Sequence, residues 1–565
     1  MNNLNFLVDV LKESPVFKTL EKNVKPGRTV CASGLSTINK SNIIYALCRL
    51  KGVTAFCLAS DEKEAQTLCN DLSCMGLRAY VYPVRDFNFL DFQSRSHEYE
   101  HARLKVLLKL LNHECDVAIA CVDAAAQLTV PRNVLEQSVI EFEEGRELSL
   151  EKATKALTLL GYERFDAVEG SGQFSLRGGI LDFFMPDSDY PVRCEFWGDE
   201  ITDLSYFDIE TQRRFKKADK ITLSPSTEIV IEDRAALADK IEHKAKLLRS
   251  KNSAKAKEKL FSEAELIRSG AMIANADKFI NQIYDKPESL FDYLDRNTLV
   301  FASEFTAIQE RGKSMDFISN ETLMQGFEDG TLCRGFDRFA LTFNECTEFL
   351  QSHGTIVLEN FVHGSMPIKL SEIISFSTKQ LSAWGGSYKQ LKEDVDGLFT
   401  PESKGVIFAG TERAAKNLCD TFNADGINAV YSEGADKISK GELLVMQGAL
   451  SAGFEYPSQK FFAITYSQVS YRPEKSKKKK KKTGQEIYSL SELAPGDYVV
   501  HNVHGIGVFG GIRKIDTHGV IKDYIKIDYA KGDVLYVPVT QLDMVAKYIG
   551  PKEDSRVKLN RLGSG

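Results

Sequence analysis

The sequence predicts a multidomain α/β protein. An α/β domain with a degenerate phosphate loop carries an inserted antiparallel module, and a small α/β domain and a small C-terminal β-barrel follow. Three observations predict this. Apolar strands alternate with helical patterns over the first ~140 residues, the rhythm of a parallel sheet. At about residue 140 the strands become short and closely spaced between turn signals. After six consecutive lysines, Lys477 to Lys482, the chain resumes with short strands bent by glycines 505, 507, 510 and 511.

Taken in order, residues 1–14 read as a short amphipathic helix with neither the basic start nor the apolar stretch of a signal peptide. Strands are expected at 29–33, 54–59, 79–82 and 117–122, with helices at 41–50, 62–75 and 101–111 between them. This is the first part, residues 1–139, of the α/β domain. The inserted module, 140–226, has strands near 172–175, 180–184, 192–197 and 199–206, separated by Gly178-Gly179, Pro186-Asp187 and Gly198-Asp199. The α/β domain is completed over 227–361 by one long charged helix, 234–269, and a strand, 297–304. Residues 362–470 form a small α/β domain of no evident role, with strands at 405–410, 429–431 and 460–466 and a helix at 412–422. A lysine-rich linker, 471–488, leads to the barrel, 489–565, where Tyr524, Lys526 and Asp528 alternate with Ile525, Ile527 and Tyr529.

Composition narrows the function. With 72 Lys and Arg against 79 Asp and Glu the net charge is −7, and without the lysine run the body is more acidic still. A broad DNA-coating surface is excluded, and nucleic-acid contact must be local. Eleven scattered cysteines, with no Cys-x-x-Cys pair, fit free thiols in a reducing cytoplasm. No segment approaches the ~18–20 apolar residues of a membrane span. His97-Glu98-Tyr99-Glu100-His101 matches the zinc-protease pattern, yet a third ligand is missing, so these imidazoles are expected on the surface. No metal site and no catalytic residue is expected.

The strongest chemical signal is Gly34-Leu-Ser-Thr-Ile-Asn39-Lys40-Ser41, after the first strand. A phosphate loop needs a second glycine where Asn39 stands, so that backbone N–H groups can turn to the phosphates. Lys40 and Ser41 survive. The carboxylate that anchors Mg²⁺ does not: the strand Leu299-Val-Phe-Ala ends in Ser303-Glu304. The site is expected to be a relic without hydrolysis.

Phe174-Ser-Leu-Arg-Gly-Gly-Ile-Leu-Asp-Phe-Phe and Val192-Arg-Cys-Glu-Phe-Trp-Gly-Asp-Glu, on an interrupted α/β domain, resemble the excision-repair protein UvrB. Pro495-Gly-Asp-Tyr-Val-Val-His and Leu535-Tyr-Val-Pro-Val resemble the polymerase-interaction domain of CarD regulators. Both occur in this order in the bacterial transcription-repair coupling factors, the Mfd family, which the whole chain resembles. In that family a DNA translocase motor follows, carrying the ATP, the Mg²⁺ and most DNA contacts. This chain stops at Gly565, so it is expected to be an N-terminal part, either a designed fragment or a truncated reading frame.

The resemblance implies UvrA-binding residues Arg177, Arg193 and Trp197, and an RNA-polymerase-binding strand with Val508, Ile512 and Ile515 that docks on the β subunit. No cofactor and no membrane partner are expected for this chain, and its expected location is the cytoplasm. The function implied is an adaptor that docks on stalled polymerase and recruits UvrA. The alternatives are an ATP-dependent, damage-probing UvrB-like enzyme, which Asn39, Ser303 and the lack of a long aromatic hairpin oppose, and a CarD-like regulator, which leaves the first 470 residues unexplained.

Overall fold

The computed structural model describes residues 4–85, 97–137, 140–248, 253–270, 276–361, 366–385, 387–466, 484–486, 496–501, 505–517, 520–530, 534–538 and 545–548. The expected lysine run and the hairpin at 531–533 lie outside these residues. The chain divides into two units, Met1–Tyr471 and Arg472–Gly565.

The first unit is built on a seven-stranded parallel sheet. Its strands run in the order Glu372–Ser375, Val30–Ser33, Thr355–Leu358, Leu299–Ser303, Ala55–Ala59, Val117–Cys121, Ala79–Tyr82. The inner strands are buried along their length, which is why they read as unbroken apolar runs. The edge strand Glu372–Ser375 corrects the expected boundary at 361. It pairs in parallel with Val30–Ser33, so the first sheet extends past that residue. Its half-exposed pattern hides it from a search for apolar runs.

Between residues 140 and 223 the chain forms a second, mostly antiparallel sheet, in the order Arg214–Lys217, Glu200–Phe207, Val192–Trp197, Ile180–Phe183, Gln173–Arg177, Glu163–Arg164. A two-stranded ribbon, Ile140–Glu143 with Lys220–Leu223, joins its ends. One sheet face buries Phe174, Leu181, Phe183, Val192, Cys194 and Leu204. A buried ionic network anchors the end of this segment to the α/β domain. Arg103 Nε donates to Glu228 Oε1 at 2.7 Å, Arg85 to Glu100 at 3.0 Å, and Thr129 Oγ1 to Glu228 Oε2 at 2.7 Å.

The single helix expected over 234–269 is two, Arg234–Leu247 and Ser253–Arg268, folded back on one another over Leu237, Ile241, Leu260, Ala264 and Ile267. Lacking glycine and proline there, the sequence hides the reversal.

The remaining sheet of this unit runs Lys379–Leu381, Gly453–Tyr456, Phe461–Thr465, Lys404–Phe408, Glu442–Met446, Ala429–Tyr431. It packs directly on the first sheet's helices. Helices Asn5–Lys12 and Thr37–Lys51 lie in one continuous core with Val406, Met446, Phe454 and Phe461, and the Phe6 and Phe461 rings are 6.3 Å apart. A helix buried on both sides shows no clean amphipathic stripe, and Ile38 to Cys48 are indeed all buried.

In the second unit the described ladders give a six-stranded antiparallel sheet: Gly484–Glu486, Val545–Tyr548, Tyr498–His501, Gly505–Thr517, Val520–Asp528, Val534–Pro538. No ladder among the described residues joins its two outer strands, so the described pairings are those of a six-stranded sheet. The alternation expected at 524–529 holds, with Ile525, Ile527 and Tyr529 buried.

Candidate partner-docking surfaces

The segment resembling a phosphate loop is occupied by protein. Helix Thr37–Lys51 begins four residues before the expected Ser41, so Thr37 to Asn39 are already helical and only Gly34 to Ser36 are left as loop. Gly34, at φ 79°, is crossed so closely by the Phe376 carbonyl that any side chain there would collide. The N–H groups of Gly34 and Leu35 donate to the carbonyls of Asn360 and Glu359, each at 3.1 Å. Asn39 is fully buried and accepts from Ser36 Oγ at 2.7 Å.

Lys40 is 1% exposed. Its Nζ donates to Ser303 Oγ at 2.9 Å, to Glu64 at 3.4 Å and to Glu304. Burial opposes ionisation of Glu64, yet Lys40 and the hydroxyls of Ser303 and Ser60 hold its pKa below the usual value. Glu304 ends the strand at φ 55°, a strained conformation for a non-glycine residue, and its carboxylate also accepts from the Asn360 N–H at 2.9 Å. Ser41 Oγ donates to Asp71 at 3.2 Å, and Asp71 in turn accepts from the N–H and hydroxyl of Ser451, both at 2.7 Å. Burial pushes the Asp71 carboxyl up to about 6, partly offset by the Ser451 bonds. Asn42 donates to Tyr456 at 3.3 Å. The polar side chains of Ser41 and Asn42, with Asp71, thus hold the 372–466 region in place.

The module presents its other face outward. Alternation puts Arg193, Glu195 and Trp197 there and buries Val192, Cys194 and Phe196, as expected. Trp197, at the hairpin end of its strand, is 82% exposed, so it is not packed into its own core. Arg193 is committed internally. Its guanidinium grips the fully buried Asp182 through Nε at 2.7 Å and Nη2 at 2.8 Å, donates to Gln212 and lies over the Phe207 ring at 4.5 Å. The Asp182 bond holds the Arg193 pKa above its ordinary value. Arg177 reaches the same carboxylate at 2.9 Å from an exposed position. Asp182 therefore organises both arginines. The Phe183-adjacent acid lay inside the quoted motif, but only the cross-strand register Asp182↔Arg193 reveals its role. Also unforeseen is the exposed pair Tyr190 and Phe215, with ring centroids 4.7 Å apart on the same module.

In the second unit, strand Gly505–Thr517 pairs with Tyr498–His501 over Gly505 to Val508, is flanked on both sides at Val508, and beyond Gly511 has its described ladder only on the Val520–Asp528 side. Gly510 and Gly511 form a bulge between these halves, Gly511 at φ 91°. Val508 is half-buried and Ile512 is 46% exposed. Ile515 stands opposite Lys522, and its side chain lies outside the described residues. Exposed Tyr498, Val534 and Tyr536 on neighbouring strands add apolar surface that sequence reasoning missed.

The histidine pair is only partly a surface feature. His97 immediately precedes helix Glu98–Leu111 and bonds the Glu100 carboxylate at 2.9 Å, and its ring stacks on His101 at 5.8 Å. His101 is half-buried against Gly172 of the module, and burial lowers its pKa. Among the described residues no group of three or more metal-ligating side chains converges. No described helix is long and apolar enough to cross a membrane, and all eleven cysteines are free thiols.

Comparison with known proteins follows the same division. Residues 140–229 match the UvrB interaction domain family, and residues 493–549 match the CarD-like/TRCF RID domain family. The chain is 29% identical to a transcription-repair-coupling factor of Bacillus subtilis over 98% of its own length and 48% of the relative's. A Staphylococcus haemolyticus protein of the same name is 28% identical over 86% of this chain and 42% of its own, and one from Staphylococcus aureus is 24% identical over 99% and 48%. The chain is thus similar to coupling factors along nearly all its length, and it spans about half the length of the curated relatives it matches.

Proposed function

We propose that this chain is a two-surface adaptor of the transcription-repair coupling type. It docks on RNA polymerase through the second unit and recruits UvrA through the 140–229 module. The observation that carries this reading is the presence in one chain of both a UvrB interaction domain match and a CarD-like/TRCF match. The physical features support it. Trp197 is a large exposed aromatic on the same sheet face as the exposed Arg177, two strands away, and both are residue types of interface hot spots. Asp182 and Arg193 act beneath them as supports.

Docking on the polymerase, through its β subunit, uses the half of strand Gly505–Thr517 that carries Ile512 and Ile515. A strand side without a described ladder offers main-chain hydrogen bonds, and the bulge at Gly510 and Gly511 separates that half from the part paired with Tyr498–His501. The second unit is read here as the small curved barrel of the CarD type.

The chain needs no nucleotide. The degenerate phosphate loop has spent its N–H groups, its lysine and its serine hydroxyl on internal partners. That opposes the ATP-dependent UvrB-like reading. The test is co-purification of the 565-residue chain with UvrA and, separately, with RNA polymerase, in nucleotide-free buffer. Retention of both supports the reading, and failure to retain either one removes that half of it.

A further inference from the structure

The helix pair Arg234–Leu247 and Ser253–Arg268 carries a charge pattern that the adaptor role does not use. Residues 244–259 contain seven lysines and arginines and a single acid, Glu258, in a chain whose net charge is −7. The base of the pair is a small core of its own. Leu237, Ala238, Ile241 and Ala245 pack on Leu260, Ala264 and Ile267, and the buried Lys278–Glu263 ion pair closes it.

The opposite end is basic. Lys246 has only a loose contact with Glu242, at 3.9 Å, and among the described residues Lys255 and Lys257 make no ion pair. Lys244 leans on the Phe336 ring and the Gly335 carbonyl. Lys255 stands in the first turn of its helix, where helix electrostatics favours carboxylates, so its placement costs stability instead of adding to it.

We infer that the Lys246, Lys255 and Lys257 end of this helix pair is a contact site for the phosphate backbone of duplex DNA. Charge complementarity selects a polyanion. Lysines on flexible stems act as point charges and suit phosphates without reading sequence. Among the described residues of this end the exposed apolar side chains are Leu247 and Ala254, with one ring, Phe261, a turn beyond Lys257, too little for a row of stacked bases or for an apolar face that enters a membrane. The contact adds a weak, sequence-independent hold on DNA to the two protein-docking surfaces.

The test uses the full 565-residue chain and a fluorescent random-sequence DNA duplex, with anisotropy measured across a salt series. The triple variant Lys246→Glu, Lys255→Glu, Lys257→Glu should bind about tenfold or more weaker at low salt. Its slope of log affinity against log salt should be shallower by roughly three, near one per lost phosphate contact. The charge-neutral variant Lys246→Gln, Lys255→Gln, Lys257→Gln should fall between it and the wild type, which keeps the test valid if charge reversal unfolds the helices. A variant with Lys477 to Lys482 replaced by Ser should retain the tip-dependent part. Unchanged affinity and slope in the glutamine triple variant would overturn the inference. So would loss of all binding in the serine variant, or tip-dependent binding to anionic phospholipid vesicles but not to the duplex.

Discussion

Lys40 matches the lysine of the phosphate-loop pattern in sequence, and in the structure its amine is spent on Ser303, Glu64 and Glu304. Substituting Lys40→Ala removes a cation that is 1% exposed and leaves Glu64, whose side chain is 10% exposed, facing Glu304 without a counter-charge. Breaking one side of a buried ion pair costs about 3–5 kcal/mol, because the surviving charge stays desolvated. The loss should appear as a lower urea midpoint at unchanged slope, followed by far-UV circular dichroism. Replacing the whole cluster (Lys40→Met, Glu64→Gln, Glu304→Gln) should recover much of the loss, since no charge is then left buried. Mg-ATP should raise the midpoint of neither the wild type nor the variants, as it has no lysine to bind. A Lys40→Ala protein within ~0.5 kcal/mol of wild type, the scatter expected of an ordinary surface change, would refute the reasoning. A Lys40-dependent stabilisation by nucleotide would refute it equally.

Further expectations follow from the same geometry. Trp197→Ala should weaken UvrA binding by about 2 kcal/mol, roughly thirtyfold, with no change in melting temperature, because the side chain is 82% exposed. Arg193→Ala should instead lower the melting temperature, since it strips the buried Asp182 of its two-pronged partner, and a calorimetric scan separates the two variants. Burial raises the pKa of Asp71 to about 6 and of Glu359, beside Glu304, to about 7. The folded state therefore holds these protons more tightly than the unfolded chain, and the stability they contribute is lost as pH rises through 6 to 7. The double variant Asp71→Asn, Glu359→Gln should flatten the urea midpoint between pH 5 and about 7.5 relative to wild type, and an equal slope in both proteins would contradict the assignment. Ile512→Arg should abolish polymerase binding while keeping the β-rich circular dichroism, since Ile512 is 46% exposed.

Much of this architecture is written locally. The strands Val30–Ser33, Ala55–Ala59, Val117–Cys121 and Phe461–Thr465 are contiguous apolar runs and were legible as such. The outward position of Trp197 followed from alternation alone. Three things were not legible because they depend on contacts remote in sequence. Edge strand Glu372–Ser375 is defined by its partner at Val30–Ser33, some 340 residues away, and not by its own pattern. The role of the region after it emerges only when Ser451 meets Asp71 and Tyr456 meets Asn42. Arg193 reads from sequence as a partner-facing fork, yet its cross-strand neighbour Asp182 uses that fork first.

The adaptor role requires one chain to hold two partners at once. The most direct measurement immobilises RNA polymerase, adds the 565-residue chain, then adds UvrA, and follows retained mass by surface plasmon resonance without nucleotide. UvrA should be retained only when the chain is present. Trp197→Ala should weaken that second step roughly thirtyfold while leaving the first, and Ile512→Arg should abolish both. If UvrA displaced the chain from polymerase, or if neither substitution affected its own step, the two-surface adaptor would be contradicted.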